Sequence, residues 1–592
     1  MKSFFKIFLA SLAALFVFSI ISLVITFVSM VAFSSMAMNS EKKISDNSVL
    51  VIDLKEALGE QTKENMNFNF QFSTSKTLGL YDVIRMIEYA KTDSKIKGIY
   101  VKSGGNANGF ATSRELRKAL EDFKTSKKFV LAYAEAISQK AYYVSSAADK
   151  VYAHPQGGLD FRGLASQTMF FKGTLDKLGV EPQIFFAGKY KSATEPFRVT
   201  EMTEANKEQT AAWLNDLNDV MLADIAASRK IDSTTLRGLA NNLSIQMPED
   251  AVKHKMIDGL KYNDELQTEL RQLLKIKEKE KINFVSLNKY AKNNAYKRSK
   301  NNKGSKIALV YAQGTILTEG NEETSITSKQ YVDVFRKIRL NDDIKAVVFR
   351  VNSPGGSALA SDEIWREIEL TKKKKPVVVS MGDMAASGGY YIAAGANKIF
   401  AEPNTLTGSI GVFSMMANLD NFFKSKLGIT FDEVKTGPYA DMGSPFRPMN
   451  DIEKRYFQSY VDTIYTTFKS RVAAGRGKSM EYVDSIAQGH VWSGTDAKNI
   501  GLVDEIGTLN DAVKYTSGLI KDSTYVLQEY PATKDLLAQF LDMTGDKEND
   551  IQKEALQKQL GAEALNLYKQ FYSFKSMMNT PQALLPYTID IR

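Results

Sequence analysis

The feature that most constrains this chain is that it repeats itself. Residues 94–163 align with residues 342–411 without a gap, at an offset of 248. Within that stretch Tyr142-Tyr143 matches Tyr390-Tyr391, Lys150 matches Lys398 and Pro155 matches Pro403. Further on, Glu195-Pro196-Phe197-Arg198 mirrors Ser444-Pro445-Phe446-Arg447, and Asp250-Ala251 with Asp258 mirrors Asp496-Ala497 with Asp504. So long a period does not suit a solenoid unit and fits a duplicated domain. The polar, basic stretch 289–305 reads as a solvated linker between a first repeat at 48–288 and a second at 306–525. Residues 533–575 read as charged helices, so 526–592 is expected to be a helical appendage outside both cores.

Each copy alternates short β-branched runs with amphipathic segments. In the second, KIALVYAQG and KAVVFRV predict buried strands, and SKQYVDVFRKIRLN between them predicts a helix. SDEIWREIELTKKKK predicts another helix, with Ser361 as its cap and basic residues in its last turn. PVVVSMG is a further strand. Such alternation predicts an α/β fold with mainly parallel strands in each copy.

The N-terminus adds a second constraint. No charged residue occurs from Ile7 to Ser40. That run exceeds the ~20 apolar residues a bilayer span needs and the ~7–15 of a cleavable signal. Lys2 and Lys6 precede it, which places the short N-terminus in the cytoplasm and the body outside it. The expectation is an uncleaved membrane helix within residues 7–35, forming a 1–40 anchor segment. The chain has no cysteine, which excludes thiolate metal sites, iron–sulfur clusters and cysteine nucleophiles. Its three histidines leave little room for a histidine relay or a poly-His metal site. The net charge of +9 comes from lysines interleaved with acids, so no nucleic-acid partner is expected.

In parallel α/β folds reactive groups gather in turns at the carboxyl ends of strands. Two such turns stand out. Asn352-Ser353-Pro354-Gly355-Gly356 leaves backbone N–H groups facing an incoming group with no Cβ in the way. Met384-Ala385-Ala386-Ser387-Gly388-Gly389 puts a serine at the start of an apolar helix, where the Gly388 N–H can help hold an oxyanion. The first copy has Gln139 in place of Ser387. The reciprocal loss lies elsewhere: Lys191 of the first copy stands opposite Ala440 of the second. One copy keeps a candidate nucleophile and the other a candidate base, which points to one composite site. Lys189 lies two residues away, and on an extended segment both lysines could share a face.

The motifs VNSPGGSALASDEI, MGDMAASGGYYIAAGANKI, TLTGSIGV and YKSATEPF resemble those of the long, duplicated form of the signal peptide peptidase A (protease IV) family, over roughly residues 48–520. The resemblance implies two tandem Clp protease/crotonase-like domains and a membrane-bound serine protease. It implies Ser387 as nucleophile, Lys191 as general base, Ser409 as the residue orienting the lysine, and Gly355, Gly356 and Gly388 at the oxyanion hole. It further implies apolar peptide substrates left after signal-peptide removal, assembly as a homotetramer, and no metal or organic cofactor. A lysine base must lose its proton, and burial lowers its pKa from ~10.4. A crotonase-type acyl-CoA enzyme and an inactive membrane scaffold are the competing readings. An active-site serine probe separates them from the protease.

Overall fold

The computed structural model describes residues 2–38, 44–69, 71–292, 295–297, 304–533, 578 and 580–585. The apolar N-terminus is one helix, Lys2–Met38, whose Phe4–Ser22 stretch packs against nothing in the body. At 1.5 Å per residue the helix is roughly 55 Å long, enough to cross a ~30 Å hydrocarbon core.

Behind it lie two sheets, one per repeat, the first wholly parallel and the second parallel except where Leu406–Gly408 meets Val491–Ser493. The first has the order Gly259–Leu260, Lys150–Leu159, Phe129–Ile137, Ile96–Lys102, Ser48–Asp53 and Asn283–Ser286, with every pair parallel. The second runs Val491–Ser493, Leu406–Gly408, Val377–Ala386, Ile344–Ser353, Lys306–Gln313 and Val526–Tyr530, with Lys398–Ala401 and Glu505–Ile506 branching from its middle. Helices cover these sheets, which is why their strands are β-branched runs rather than alternating ones. The two copies also repeat their bracing. Tyr142 Oη donates to the Met256 carbonyl at 2.6 Å, and Tyr390 Oη to the Leu502 carbonyl at 2.8 Å. Asp258 accepts from the Val151 N–H and pairs with Arg229, as Asp504 does with Ile399 and Arg476.

A third sheet joins the repeats. Its order is Ile326–Thr327, Ile316–Leu317, Gly355–Ser357, Gln582–Leu584, Val412–Asn418 and Glu181–Ala187. Glu181–Ala187 comes from the first repeat and pairs antiparallel with Val412–Asn418 of the second, Ala187 opposite Val412 and Glu181 opposite Asn418. A second link between the repeats is ionic: Arg350 is fully buried between two carboxylates of the first repeat, Glu60 at 2.7 Å and Glu115 at 2.8 Å. The second Glu60 oxygen accepts from Asn352 at 2.7 Å, and Asn352 in turn accepts from the Met384 N–H. Burial, partly offset by Arg350, pushes Glu115 up to about 7.

Three expectations need correction. The 361–375 helix starts earlier, as Ala358–Lys372, and its cap is Ser357, whose hydroxyl accepts from the Ala360 N–H; Ser361 instead donates back to the Ser357 carbonyl. The linker is not wholly solvated: Tyr290 and Ala291 are buried, Tyr290 Oη donates to Asp93, and Lys297 pairs with Asp82. The appendage is not wholly separate either. Val526–Tyr530 is a strand beside Lys306–Gln313, and Gln582–Leu584 is a strand of the third sheet. The helices expected over 533–575 lie, past Thr533, outside the described residues.

Candidate active site

Ser387 ends the Val377–Ala386 strand and caps the Gly388–Ala393 helix. Its φ of 53° is in the left-handed region, a strained position for a residue with a side chain, and its N–H is held by the Gly408 carbonyl at 2.8 Å. The sharp turn swings Oγ out of the strand line. Lys191 follows Glu181–Ala187 and reaches Ser387 across the joint between the repeats. Lys191 Nζ lies 2.9 Å from Ser387 Oγ, 3.1 Å from Ser409 Oγ and 3.3 Å from the Ser409 carbonyl oxygen. The three residues are 1%, 0% and 0% exposed, so the group is sealed from bulk water. Burial alone drives the Lys191 ammonium well below the ordinary lysine range. Lys189 is exposed, with its Nζ beside the Tyr190 ring at 5.0 Å. The chain turns at Lys189-Tyr190, so the two lysines do not share a face.

The site depends on close backbone approach. Tyr190 donates its N–H to the Gln488 carbonyl at 2.7 Å, Ser409 its N–H to the His490 carbonyl at 2.7 Å, and Gly489 its N–H to the Ile410 carbonyl at 2.8 Å. Residues 488–490 therefore clamp the lysine turn and the Ser409 turn together. Gly489 has φ +75°, and a Cβ there would lie 2.7 Å from both N and Cβ of Lys191. The His490 ring stacks on Trp492 at 3.9 Å and packs edge-on to Tyr190 at 4.5 Å. Gln209 braces the lysine turn from the first repeat, donating to the Tyr190 carbonyl at 2.9 Å and accepting from the Val491 N–H at 3.1 Å.

The predicted glycines gather on the other side. A Cβ on Gly388 would lie 3.1 Å from Gly355 Cα, and one on Gly355 would lie 2.6 Å from Gly388 N. Gly355 donates its N–H to Ser353 Oγ at 3.1 Å, and Ser353 donates to the Gly314 carbonyl at 2.7 Å. The strand Gln582–Leu584 runs through the cleft, antiparallel to Gly355–Ser357, with Gly356 opposite Ala583. The Ala583 carbonyl oxygen would touch an added Cβ on either Gly355, at 2.1 Å, or Gly388, at 3.0 Å, so it lies in the gap between them. Leu584 packs in an apolar cluster with Phe197, Phe413 and Met415.

The same place in the first repeat is filled by an amide. Gln139 accepts from the N–H groups of Arg162 and Gly163 and donates to the Gly163 carbonyl, at 2.7–2.9 Å. Its lysine counterpart, Ala440, is exposed. The sequence offered Ser387, Lys191, Ser409 and the three glycines as candidates, and the structure brings them together. It missed Gly489, Ser353, Gln209 and the 582–584 strand. Gly489 carried a weak signal, as a glycine between Gln488 and His490. The short strand carried none.

Residues 122–277 and 369–521 match peptidase family S49, and residues 300–407 match the Clp protease family. The chain belongs to peptidase family S49. Protease 4 of Salmonella typhi is 35% identical over 520 residues, covering 85% of this chain and 82% of that protein. Protease 4 of Haemophilus influenzae is 33% identical over 516 residues, covering 84% and 83%. The chloroplastic serine protease SPPA of Arabidopsis thaliana is 31% identical over 477 residues, covering 80% and 69%. These matches support the signal peptide peptidase A/protease IV family and make the chain a serine peptidase of two Clp protease-like α/β domains, preceded by a helix that fits a single-pass anchor.

Proposed function

We propose that the protein is a membrane-anchored endopeptidase with a Ser387–Lys191 dyad that degrades apolar peptides, including signal peptides left after cleavage of their precursors. The observation that carries this reading is the 2.9 Å contact between a buried lysine and a serine, each supplied by a different repeat. Neutral Lys191 takes the Ser387 proton as Oγ attacks the substrate carbonyl carbon. The N–H groups of Gly356 and Gly388, with the Gly355 turn behind them, hold the oxyanion. The Lys191 ammonium then protonates the leaving amine, and Lys191 activates water to release the acyl group. Ser409 keeps the amine aimed at Ser387. The substrate pairs with Gly355–Ser357 where Gln582–Leu584 now lies, and the cluster around Leu584 favours apolar side chains. The chemistry calls on no metal or organic cofactor.

In this reading the helix containing residues 7–35 anchors the protein in the bacterial inner membrane, the body lies on the periplasmic side, and the protein works as a homotetramer. A serine-directed probe tests the chemistry. It should label Ser387 in the wild type, and Ser387→Ala and Lys191→Ala should each abolish turnover, with the double variant no worse than either. Full turnover in Lys191→Ala would overturn the dyad.

A further inference from the structure

The chain enters the body at the amino ends of the first sheet's strands, the end opposite the catalytic turns. Asn47 Nδ2 donates to the Leu274 carbonyl at 3.0 Å, Asn283 Nδ2 to the Asp46 carbonyl at 3.3 Å, and the Ser48 N–H to the Lys95 carbonyl at 2.8 Å. The entry point is therefore ringed by the turns that lead into three neighbouring parallel strands, Ser48–Asp53, Ile96–Lys102 and Asn283–Ser286.

This end is basic. The turn before Asn283–Ser286 reads Lys275-Ile276-Lys277-Glu278-Lys279-Glu280-Lys281, and its four lysines are exposed, with no salt bridge among the described residues. Lys97, and Lys127 in the turn before Phe129–Ile137, are exposed at the same end. Of the acids there, Asp93, Asp122 and Asp149 are taken up by Tyr290, Lys91 and Lys124, which leaves Asp46, Glu278 and Glu280. Two exposed apolar residues flank the lysine turn, Leu273 at 43% and Phe284 at 41%. The bilayer is within reach of this face. Ile44 is already buried in the body, and the six steps from Met38, the end of the apolar helix, to Ile44 span at most about 20 Å. A basic face edged with apolar side chains and tethered that close to a membrane fits an anionic lipid surface.

We infer that the amino-end face of the first repeat docks on the bilayer that holds the anchor, with Lys275, Lys277, Lys279 and Lys281 against anionic lipid phosphates and Leu273 and Phe284 at headgroup level. Docking orients the active site. Asp383, near the carboxyl end of Val377–Ala386, accepts from the Thr112 N–H at 3.0 Å and its hydroxyl at 2.7 Å, so the carboxyl ends of the two sheets meet. The cleft end of the first repeat is thereby held off the headgroups by about a strand length, ~20 Å for six residues. This inference rests on the anchor reading and is independent of the dyad.

Because the chain has no cysteine, one introduced cysteine carries one fluorophore. Ser94→Cys lies at the lysine end, and Ala107→Cys lies beyond the carboxyl end of Ile96–Lys102; both positions are exposed. The full chain is reconstituted in nanodiscs of phosphatidylcholine, with or without about 30% phosphatidylglycerol, carrying an acceptor dye on a trace headgroup. Energy transfer from Ser94→Cys should exceed that from Ala107→Cys, rise about twofold with phosphatidylglycerol and fall back at high salt. Combining Lys275→Gln, Lys277→Gln, Lys279→Gln and Lys281→Gln should abolish the rise and leave hydrolysis of a short soluble peptide unchanged. Equal transfer from the two positions, transfer indifferent to phosphatidylglycerol, or a rise that survives the four substitutions would overturn the inference while the chain stays in the disc. A chain that does not stay in the disc would overturn the anchor reading and this inference with it.

Discussion

Gly489→Ala separates positioning of the lysine from its chemistry, since it touches no reacting atom. A Cβ at Gly489 would lie 2.7–2.8 Å from N, Cα and Cβ of Lys191. Ordinary contact is nearer 3.5 Å, so the Lys191 backbone must retreat by about 0.7 Å. The Lys191–Ser387 contact of 2.9 Å then stretches beyond hydrogen-bond range. A misplacement near 1 Å costs on the order of 10²-fold. We therefore expect kcat to fall about 50-fold, equivalent to about 2.3 kcal/mol at 1.36 kcal/mol per factor of ten. A left-handed alanine also costs about 1–2 kcal/mol of stability. Gly477→Ala is the control, because its φ is +62° and an added Cβ meets nothing within 4 Å. Steady-state kinetics on a fluorogenic peptide and thermal melting, run on both variants, read the two effects separately. Both should melt lower, Gly489→Ala by more because of the added contact with Lys191, and only Gly489→Ala should lose kcat. Equal kcat in the two variants would refute the idea that residues 488–490 set the lysine.

Three other outcomes follow. Lys191 and Ser387 meet within one chain, so co-assembled Lys191→Ala and Ser387→Ala chains should stay inactive; recovery of a substantial fraction of wild-type turnover would move the site between chains. Glu115 has its pKa raised from 4.5 to about 7, chiefly by burial, so the folded state binds a proton that the unfolded chain has released. Stability should therefore fall as pH rises from about 4.5 to 7, by up to about 3 kcal/mol, and Glu115→Gln should flatten that slope in urea melts. Ending the chain after Thr533 removes the strand from the cleft, and kcat/KM for an apolar peptide should rise severalfold; an unchanged value would show that Gln582–Leu584 does not compete with substrate.

The duplication made the α/β class and the split site legible, because reciprocal losses at Gln139 and Ala440 isolate Ser387 and Lys191 against an internal control. Local pattern could not separate Lys191 from Lys189. That needs the turn at Tyr190, which is held by the Gln488 carbonyl about 300 residues away in sequence. The helix cap fell on Ser357 rather than Ser361 because the strand after Pro354 is only three residues long and leads directly into the helix. Tyr290 reads as linker by composition, yet core packing beside Tyr89 and a hydrogen bond to Asp93 seat it. Arg350, Glu60 and Glu115 look like ordinary surface charges until three distant segments converge. The 582–584 strand is too short for periodicity and is defined only by the edges it joins.

The dyad is tested most directly by the pH dependence of Ser387 acylation by a serine-directed probe, measured in the wild type and in Lys191→Ala. Burial disfavours the ammonium, so the wild-type rate should rise with pH through a midpoint well below that of free lysine. In Lys191→Ala the rate should be lower by at least about 10³-fold and lose that midpoint. A Lys191→Ala protein that acylates at the wild-type rate with the same pH midpoint would contradict the assignment of Lys191 as the base.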